Sequence, residues 1–278
     1  MGKWALLFLR GETTLTVMRS FAQAPILTFV LTLGLLGTYA HAQDAKTDAK
    51  SRYQTCMEQI GQNPEAAFDA ATHWEGLGGG HPARHCALAA LIAIGHFVEA
   101  AQGLEKLADQ VNADASFKAM LLVQSSRAWI GAENFARAES AADAAIGLSP
   151  KMAGAHFMRA QALGLQGNYT KAVADLTFVL NTAPGNPDAL TLRGSAYRQM
   201  EKLDLALLDL DRALELSPNL IEGLLERGIV YWLLGRNDEA RSDWQKLIDL
   251  APKSPAAKSA ESNLHKLNSG LDPNAPSE

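Results

Sequence analysis

The sequence is poor in cysteine and aromatic residues, and it carries no catalytic or cofactor-binding motif. Two of its 278 residues are cysteines, and 7% are aromatic. It contains no phosphate-binding loop, no dinucleotide-binding fingerprint, no Gly-x-Ser-x-Gly elbow and no His-Glu-x-x-His helix. These absences remove the usual sequence support for hydrolase, nucleotide-dependent and zinc-dependent chemistry. We therefore predict that the protein is not an enzyme and uses no cofactor.

The sequence also lacks clusters of Lys and Arg. It has 25 basic and 30 acidic residues, a formal net charge of −5. Without the first 42 residues it would keep 22 basic and 29 acidic residues, a net charge of −7. Nucleic acids and anionic membrane surfaces bind proteins through clustered basic residues. We therefore predict that neither is a partner, although 47% hydrophobic residues suffice for a sizeable core.

The N-terminal region has the parts of a secretory signal peptide. Residues 18–42 contain a basic start, an apolar run from Ile26 to Tyr39 and a small-x-small site that ends at Ala42. The run is short for a membrane span, which takes about 20 apolar residues. We predict that residues 1–42 are removed and that the chain is exported, to the periplasm of a Gram-negative bacterium. An uncleaved anchor is the alternative, and translation starts at either Met1 or Met18.

The two cysteines, Cys56 and Cys86, predict a disulfide, because paired cysteines in an exported chain are normally oxidised. Closing a loop of about 30 residues would stabilise the fold by roughly 3–4 kcal/mol in the entropy model. Free thiols and a zinc or copper site are the alternatives, since four histidines are close in sequence. These are His73, His81, His85 and His96. No Cys-x-x-Cys or haem-attachment motif supports a metal, so we predict a structural disulfide without one.

A proline recurs every 34 residues in the second half of the chain. The four are Pro150, Pro184, Pro218 and Pro252. A fixed period of this length indicates a repeat architecture. Between the prolines, apolar residues recur three and four positions apart, which is the helical period. Each proline ends a helix, because it lacks the amide donor and clashes with the preceding turn. Each repeat is therefore predicted to be a pair of helices.

Three repeats carry an arginine and an aspartate sixteen residues apart. The pairs are Arg159 with Asp175, Arg193 with Asp209, and Arg227 with Asp243. At the equivalent positions, the repeat before them has Ser125 and Ala141, so both members are absent together. An unpaired buried arginine would be strongly destabilising. We therefore predict a ladder of structural ion pairs; an anion or substrate site built from the arginines is the alternative.

The repeats resemble tetratricopeptide repeats. In residues 187–220 the matching residues are Leu190, Gly194, Tyr197, Ala206, Leu210, Ala213 and Pro218. The resemblance implies an all-α fold, an α-solenoid of helix-turn-helix repeats, here with an N-terminal half-repeat and a C-terminal capping helix. Five units are predicted, at 81–118, 119–152, 153–186, 187–220 and 221–254. Before them, residues 43–80 predict a polar linker (44–51) and an atypical helix pair; after them, residues 255–278 predict a capping helix and a loose tail.

The resemblance further implies that the first helices line a concave groove that binds a peptide or protein partner. The candidate groove residues are Gln124, Arg127, Phe157, Gln161, Thr191, Arg198, Leu225 and Trp232. Family members that clamp a C-terminal carboxylate use a Lys and Asn set that this chain lacks. Ordinary packing between repeats is the alternative for Phe157, Leu225 and Trp232.

The function predicted from these features is that of an exported, non-catalytic scaffold that assists assembly of an envelope complex. Two alternatives stay open. One is a structural protein that associates with itself through its repeats. The other is a metal- or redox-active N-terminal module built on Cys56, Cys86 and the nearby histidines.

Overall fold

The computed structural model describes the backbone of residues 36–271 and the side chains of residues 48–271. Most of the predicted signal peptide and the end of the predicted tail lie outside the described residues. Within the described range all regular structure is helical. The helices are α1 (Leu36–Ile60), α2 (Pro64–Trp74), α3 (Gly80–Ile94), α4 (Phe97–Gln110), α5 (Ala115–Gly131), α6 (Phe135–Leu148), α7 (Ala153–Leu165), α8 (Tyr169–Thr182), α9 (Pro187–Gln199), α10 (Leu203–Leu216), α11 (Ile221–Leu233), α12 (Asn237–Leu250) and α13 (Pro255–Asn268). None of these described helices is both long enough and apolar enough to span a bilayer.

The chain divides into two compact units, with the boundary between Ala100 and Ala101. The N-terminal unit contains α1, α2 and α3, and the C-terminal unit contains α5 to α13. The boundary falls inside α4, within the first predicted repeat (81–118). The regular repeats with 34-residue spacing therefore all belong to the C-terminal unit.

The N-terminal unit is held together by a small core around its two cysteines. Cys56 of α1 and Cys86 of α3 form a disulfide with a Cα–Cα distance of 6.3 Å. Ala71 and Ala87 are buried against them, and partly buried side chains complete the cluster: Tyr53, Met57, Ile60 and Phe68. The disulfide therefore links α1 to α3 in a unit that buries few large apolar residues.

Helix α1 is longer than the sequence predicts. Residues 44–51 are helical in the structure and continue into the segment predicted as a short helix, so they are not a linker. The physical reason is local: from Thr38 to Ile60 the chain contains neither Gly nor Pro, and Ala, Lys, Gln and Glu favour helix. The polar composition of residues 44–51 was therefore not sufficient evidence for a linker.

The glycine-rich segment after α2 is a tight turn between helices. Asn63 caps the start of α2 by accepting a hydrogen bond from the amide of Ala66 (3.0 Å). After Trp74 one π-helical turn, Glu75–Gly79, leads directly into α3. Gly78 and Gly80 have φ values of 90° and 58°, which glycine adopts without steric cost.

The C-terminal unit is a stack of helix pairs followed by a last helix. The pairs are α5 with α6, α7 with α8, α9 with α10, and α11 with α12; each packs against the next, and α13 packs on α11 and α12. This arrangement confirms the predicted all-α solenoid with a C-terminal capping helix. The four turns within the pairs place Glu133, Gly167, Glu201 and Gly235 at positive φ. The turn geometry is therefore kept even where the residue is not glycine.

Two glycines allow the paired helices to approach closely. Gly194 of α9 faces Leu210 and the carbonyl of Ala206 on α10, and Gly228 of α11 faces the indole of Trp244 on α12. A Cβ at either position would overlap these groups. The close approach buries Leu210 and Trp244 completely.

Candidate functional site: the inner face of the first helices

The first helices of successive repeats form one layer. Each of α5, α7 and α9 contacts the next first helix in the series, and α11 contacts the last helix, α13. Among the described residues, the second helices of successive repeats approach one another much less. Because the first helices are closer together, the stack curves with them on the inside. We call the side of the first helices that points away from the second helices the inner face.

The contacts of α9 show which of its residues belong to the inner face. Arg193 and Gly194 point toward the second helices α8 and α10. At 100° per residue, Asp188, Ser195 and Gln199 lie on the opposite side of the helix. Ser195 is buried there, and its hydroxyl oxygen has no hydrogen-bond partner among the described residues. Asp188 and Gln199 are half-buried and border the open surface.

The same reasoning places Arg127 on the inner face of α5. Ser126 donates to the carbonyl of Ala138 on α6 (2.7 Å), and Trp129 donates to Glu105 on α4 (2.6 Å). These bonds fix the side of α5 that faces the second helices. Arg127 is about 130° away from that side and is half-buried.

Five of the eight predicted groove residues keep some exposed surface: Gln124, Arg127, Phe157, Arg198 and Trp232. Arg198 is already bound, since its Nε donates to the buried carboxylate of Glu226 on α11 (2.9 Å). Trp232 makes an edge-to-face contact with Trp244, at a centroid distance of 6.0 Å. Arg198 and Trp232 therefore contribute to packing between helices.

The other three predicted groove residues require a correction. Thr191 is 0% exposed, Gln161 3% and Leu225 7%. Thr191 also donates its hydroxyl proton to the carbonyl of Pro187, one turn earlier in the same helix (2.9 Å). Their surfaces are taken up by neighbouring helices, so they cannot line a binding surface. Periodicity identified the side of the helix but not the depth of burial.

All three predicted ion pairs are present, and each is bidentate. Arg193 donates from Nε and NH2 to the two carboxylate oxygens of Asp209, at 2.7 and 2.8 Å. Arg159 with Asp175 and Arg227 with Asp243 have the same geometry. The three aspartates are buried. The hydrogen bonds that Arg159 donates to Asp175 raise the pKa of Arg159, and those that Arg193 donates to Asp209 raise the pKa of Arg193.

Each arginine also reaches back to the preceding repeat, which the sequence analysis missed. NH1 of Arg159 donates to Asp143 on α6 (2.7 Å), and NH1 of Arg227 donates to Asp211 on α10 (2.8 Å). In the middle repeat the acceptor is the hydroxyl of Thr177 (3.2 Å). A signal was available, because Asp143, Thr177 and Asp211 are themselves 34 residues apart. The arginines therefore join repeats, and their donors are not available to an anionic ligand.

The repeat without an arginine uses a different polar cluster. Glu105 on α4 accepts from the hydroxyl of Ser125 (3.1 Å), and Arg137 on α6 donates to it (3.4 Å). The guanidinium of Arg137 also lies over the ring of Trp129, 4.2 Å from its centroid. The cluster joins α4, α5 and α6, so the absence of the Arg–Asp pair leaves no gap in the stack.

The N-terminal unit contains a cavity of about 330 Å³ between α1 and α2. Cys56, Arg52, His73, Trp74 and Leu77 are among its lining residues. In the region that the structure describes, no group of three His, Cys, Asp or Glu side chains could hold a metal ion. Two of the four histidines singled out in the sequence have local contacts: Tyr53 Oη lies 2.7 Å from His85 Nδ1, and His96 Nδ1 lies 3.7 Å from Glu99.

Comparison with known proteins identifies the repeat family. A family model described as a tetratricopeptide repeat matches residues 127–187, and another with this description matches residues 222–254. A third, described as a TPR repeat, matches residues 194–235. These matches cover the repeats in which the sequence signature is most regular. A search of curated proteins found no match.

Solved structures of tetratricopeptide repeat proteins share the fold. A thermophilic TPR protein of Thermus thermophilus is 18% identical, with a TM-score of 0.55 over 68% of this chain and 98% of that one. Residues 41 to the end of MamA from Desulfovibrio magneticus RS-1 are 22% identical, with a TM-score of 0.51 over 60% and 93%. A chain of the APC/C hetero-tetramer Cut9-Hcn1 is 13% identical, with a TM-score of 0.67 over 84% and 46%.

At these identities the structural likenesses show the fold alone. The family models, the 34-residue period and the stacked helix pairs agree with one another. Residues 127–187 and 194–254 of this chain are tetratricopeptide repeats.

Proposed function

We propose that this protein is an exported, non-catalytic adaptor that binds a peptide or protein partner on the inner face of its first helices. The observation that carries the proposal is the packing of the C-terminal unit. Ion pairs and closely packed small residues bury the surface between the first and second helices. The inner face, in contrast, has half-buried side chains that border solvent. Stacks of this kind present extended concave binding surfaces.

The proposal that the protein is not an enzyme rests on the sequence and the family. Tetratricopeptide repeat proteins are in general interaction scaffolds, and this sequence carries none of the catalytic motifs considered above. The recurring arginines, which were the strongest alternative for a substrate site, are bonded to aspartates. The arginines and aspartates that recur in the repeats thus have a structural role.

The proposed export rests on the signal-like residues 18–42 and is supported by the disulfide. A disulfide persists in an oxidising compartment such as the periplasm and is rare in the cytosol. The joining of Cys56 to Cys86 is therefore in keeping with a periplasmic location. In that compartment an adaptor of this kind would assist assembly of an envelope complex.

Self-association is a second candidate, favoured by one exposed apolar pair. Leu205 and Leu208 on α10 are 43% and 67% exposed. The next repeat has Glu239 and Ser242 at these positions, so the apolar pair is not a requirement of the repeat. A second copy of the chain that covered the pair would make the outer face of α10 an interface.

Site-specific photocrosslinking in intact cells distinguishes the two candidates. A photoreactive residue would replace Gln199 on the inner face or Leu208 on the outer face. The proposal expects crosslinks to a different protein from position 199 and none to that protein from position 208. Crosslinked dimers of this chain from position 208, with no product from position 199, would establish self-association and overturn the adaptor function.

A further inference from the structure

Two opposite charges on the inner face have no partner in the part of the chain that the structure describes. They are Arg127 on α5 and Asp188 on α9. Both side chains are half-buried, and neither makes a hydrogen bond, ion pair or ring contact with a described residue. Arg198 on the same layer is different, because it is bonded to Glu226 at 2.9 Å.

Burial without a partner is unfavourable for each of these groups. It lowers the pKa of Arg127 and raises the pKa of Asp188, in both cases because the charged form loses water. Asp188 lies in the first turn of α9, where the helix dipole favours a negative charge and would lower its pKa. A group of opposite charge from a partner would offset the loss of water at both positions.

The helix between them carries no charge on this face. Of the inner-face positions of α7, Gly154 and Leu165 keep exposed surface, and Met158 and Gln161 are buried. Gly154 is exposed, and a Cβ built on it would meet no atom closer than 4.0 Å, so the surface there is open. The inner face therefore presents, in order along the stack, a positive charge, an uncharged strip and a negative charge.

The spacing of the two charges follows from helix geometry. Neighbouring helices pack about 9 Å apart, so α5 and α9 are separated by roughly 18 Å. The residue of α9 that is equivalent to Arg127 is Ser195. Asp188 lies seven positions before Ser195, which adds about 10 Å along the helix axis. The separation is thus about 20 Å, which an extended peptide covers in about six residues.

We propose that the inner face binds an extended peptide segment that places an acidic side chain against Arg127 and a basic side chain about six residues away against Asp188. The inference rests on the proposed function and assigns the partner's chemistry. The segment between the two charges is uncharged, in keeping with the surface of α7. The order of the two charges fixes the direction in which the peptide lies across the repeats.

A random 12-residue peptide library displayed on phage tests this assignment. The protein is produced from its full-length coding sequence, and its fold is checked by circular dichroism. Wild type is expected to enrich peptides with an acid and a base about six residues apart. Arg127→Glu and Asp188→Lys should each weaken the selected peptides roughly tenfold or more, as loss of a desolvated charge pair does. When the library is selected on each variant, the enriched peptides should carry the reversed charge at the position that contacts the substituted residue.

Matched variants control for net charge. Lys171→Glu on α8 and Asp204→Lys in the first turn of α10 make the same changes at exposed positions and should leave the selected peptides unchanged. If a charge reversal at 127 or 188 prevents folding, Arg127→Met and Asp188→Asn remove the charges and should still weaken binding.

The outcomes separate this inference from the proposed function. If the selected peptides bind both charge-reversal variants as tightly as wild type, the charge assignment is overturned, whereas the adaptor function is not. Failure of the folded wild-type protein to enrich any peptide above an uncoated surface would overturn both.

Discussion

Arg159 on α7 and Asp175 on α8 are joined by two hydrogen bonds, from Nε at 2.7 Å and from NH2 at 2.6 Å. The third nitrogen of the same guanidinium donates to Asp143 on α6. One side chain thus holds three helices from two repeats. His156 adds to this junction: its Nε2 donates to the carbonyl of Pro150, and its Nδ1 lies 2.9 Å from Asp175. The guanidinium therefore links the two helices of its own repeat through Asp175 and reaches the preceding repeat through Asp143.

Removing one of these carboxylates should destabilise the stack strongly. Asp209→Ala leaves Arg193 partly buried without its bidentate partner, and we expect a loss of about 3–5 kcal/mol in the free energy of unfolding. Urea denaturation followed by circular dichroism measures it. Asp204→Ala, at an exposed position of the same helix, should change stability by no more than about 0.5 kcal/mol.

A double substitution distinguishes the net contribution of the ion pair to stability from the cost of leaving one buried charge without its partner. Replacing both residues by apolar ones, Arg193→Met with Asp209→Leu, should recover much of the loss, because no uncompensated charge stays buried. Equal losses from Asp209→Ala and Asp204→Ala would contradict a structural role for the ladder.

Substitution of two helical glycines should have opposite effects. Gly228→Ala places a methyl group against the indole of Trp244 and should cost about 1–3 kcal/mol. Gly147→Ala on α6 meets no atom within 4 Å, and it should stabilise by up to about 1 kcal/mol because alanine favours helix. Thermal denaturation of the two variants and wild type makes the comparison. A stabilising Gly228→Ala would show that α11 and α12 are not as closely packed as described.

The sequence predicts the repeat architecture well because it is encoded locally and periodically. The prolines, Gly194 and Gly228 recur at fixed spacing, and the Arg–Asp pairs recur sixteen residues apart. All of these reflect contacts between neighbouring helices. The bond from Arg159 to Asp143 recurs with the same period, but it joins residues of different repeats, which the spacing within one repeat does not show.

The sequence predicts the binding surface less well. Thr191 and Leu225 are on helices that form the inner layer, but their burial depends on how closely the next helix approaches, which the spacing of residues does not encode. The significance of Arg127 could not be predicted either, because it depends on the absence of an acidic neighbour. Residues 44–51 show a third limit: polar composition did not distinguish a linker from an exposed helix.

Loss of the disulfide should destabilise the N-terminal unit. Cys56→Ala with Cys86→Ala removes a link that closes a loop of 30 residues, which stabilises by roughly 3–4 kcal/mol in the entropy model. Limited proteolysis should therefore cleave within residues 48–100 at lower protease concentration than in wild type. Unchanged cleavage would show that the small core around Ala71 and Ala87 suffices without the bond.

Removing either unpaired inner-face charge should stabilise the protein while weakening peptide binding. For Asp188 the sign follows from its raised pKa: the folded state holds the proton more tightly, so the charged group disfavours folding above the ordinary range for Asp. Asp188→Asn should therefore raise the melting temperature at pH 7 and have little effect near pH 2.5, where the group is protonated in both states. Arg127→Met should stabilise at both pH values. Destabilisation at pH 7 by either substitution would show that the charge has a structural partner.

Hydrogen–deuterium exchange with a library-selected peptide tests the central claim most directly. If the inner face is the binding surface, saturating peptide should slow exchange in α5, α7 and α9 and leave α6, α8 and α10 unchanged. Arg127→Glu should raise the peptide concentration needed for half-maximal protection roughly tenfold or more. Protection confined to the second helices or to residues 48–100 would contradict the account, because the partner would then bind elsewhere on the chain.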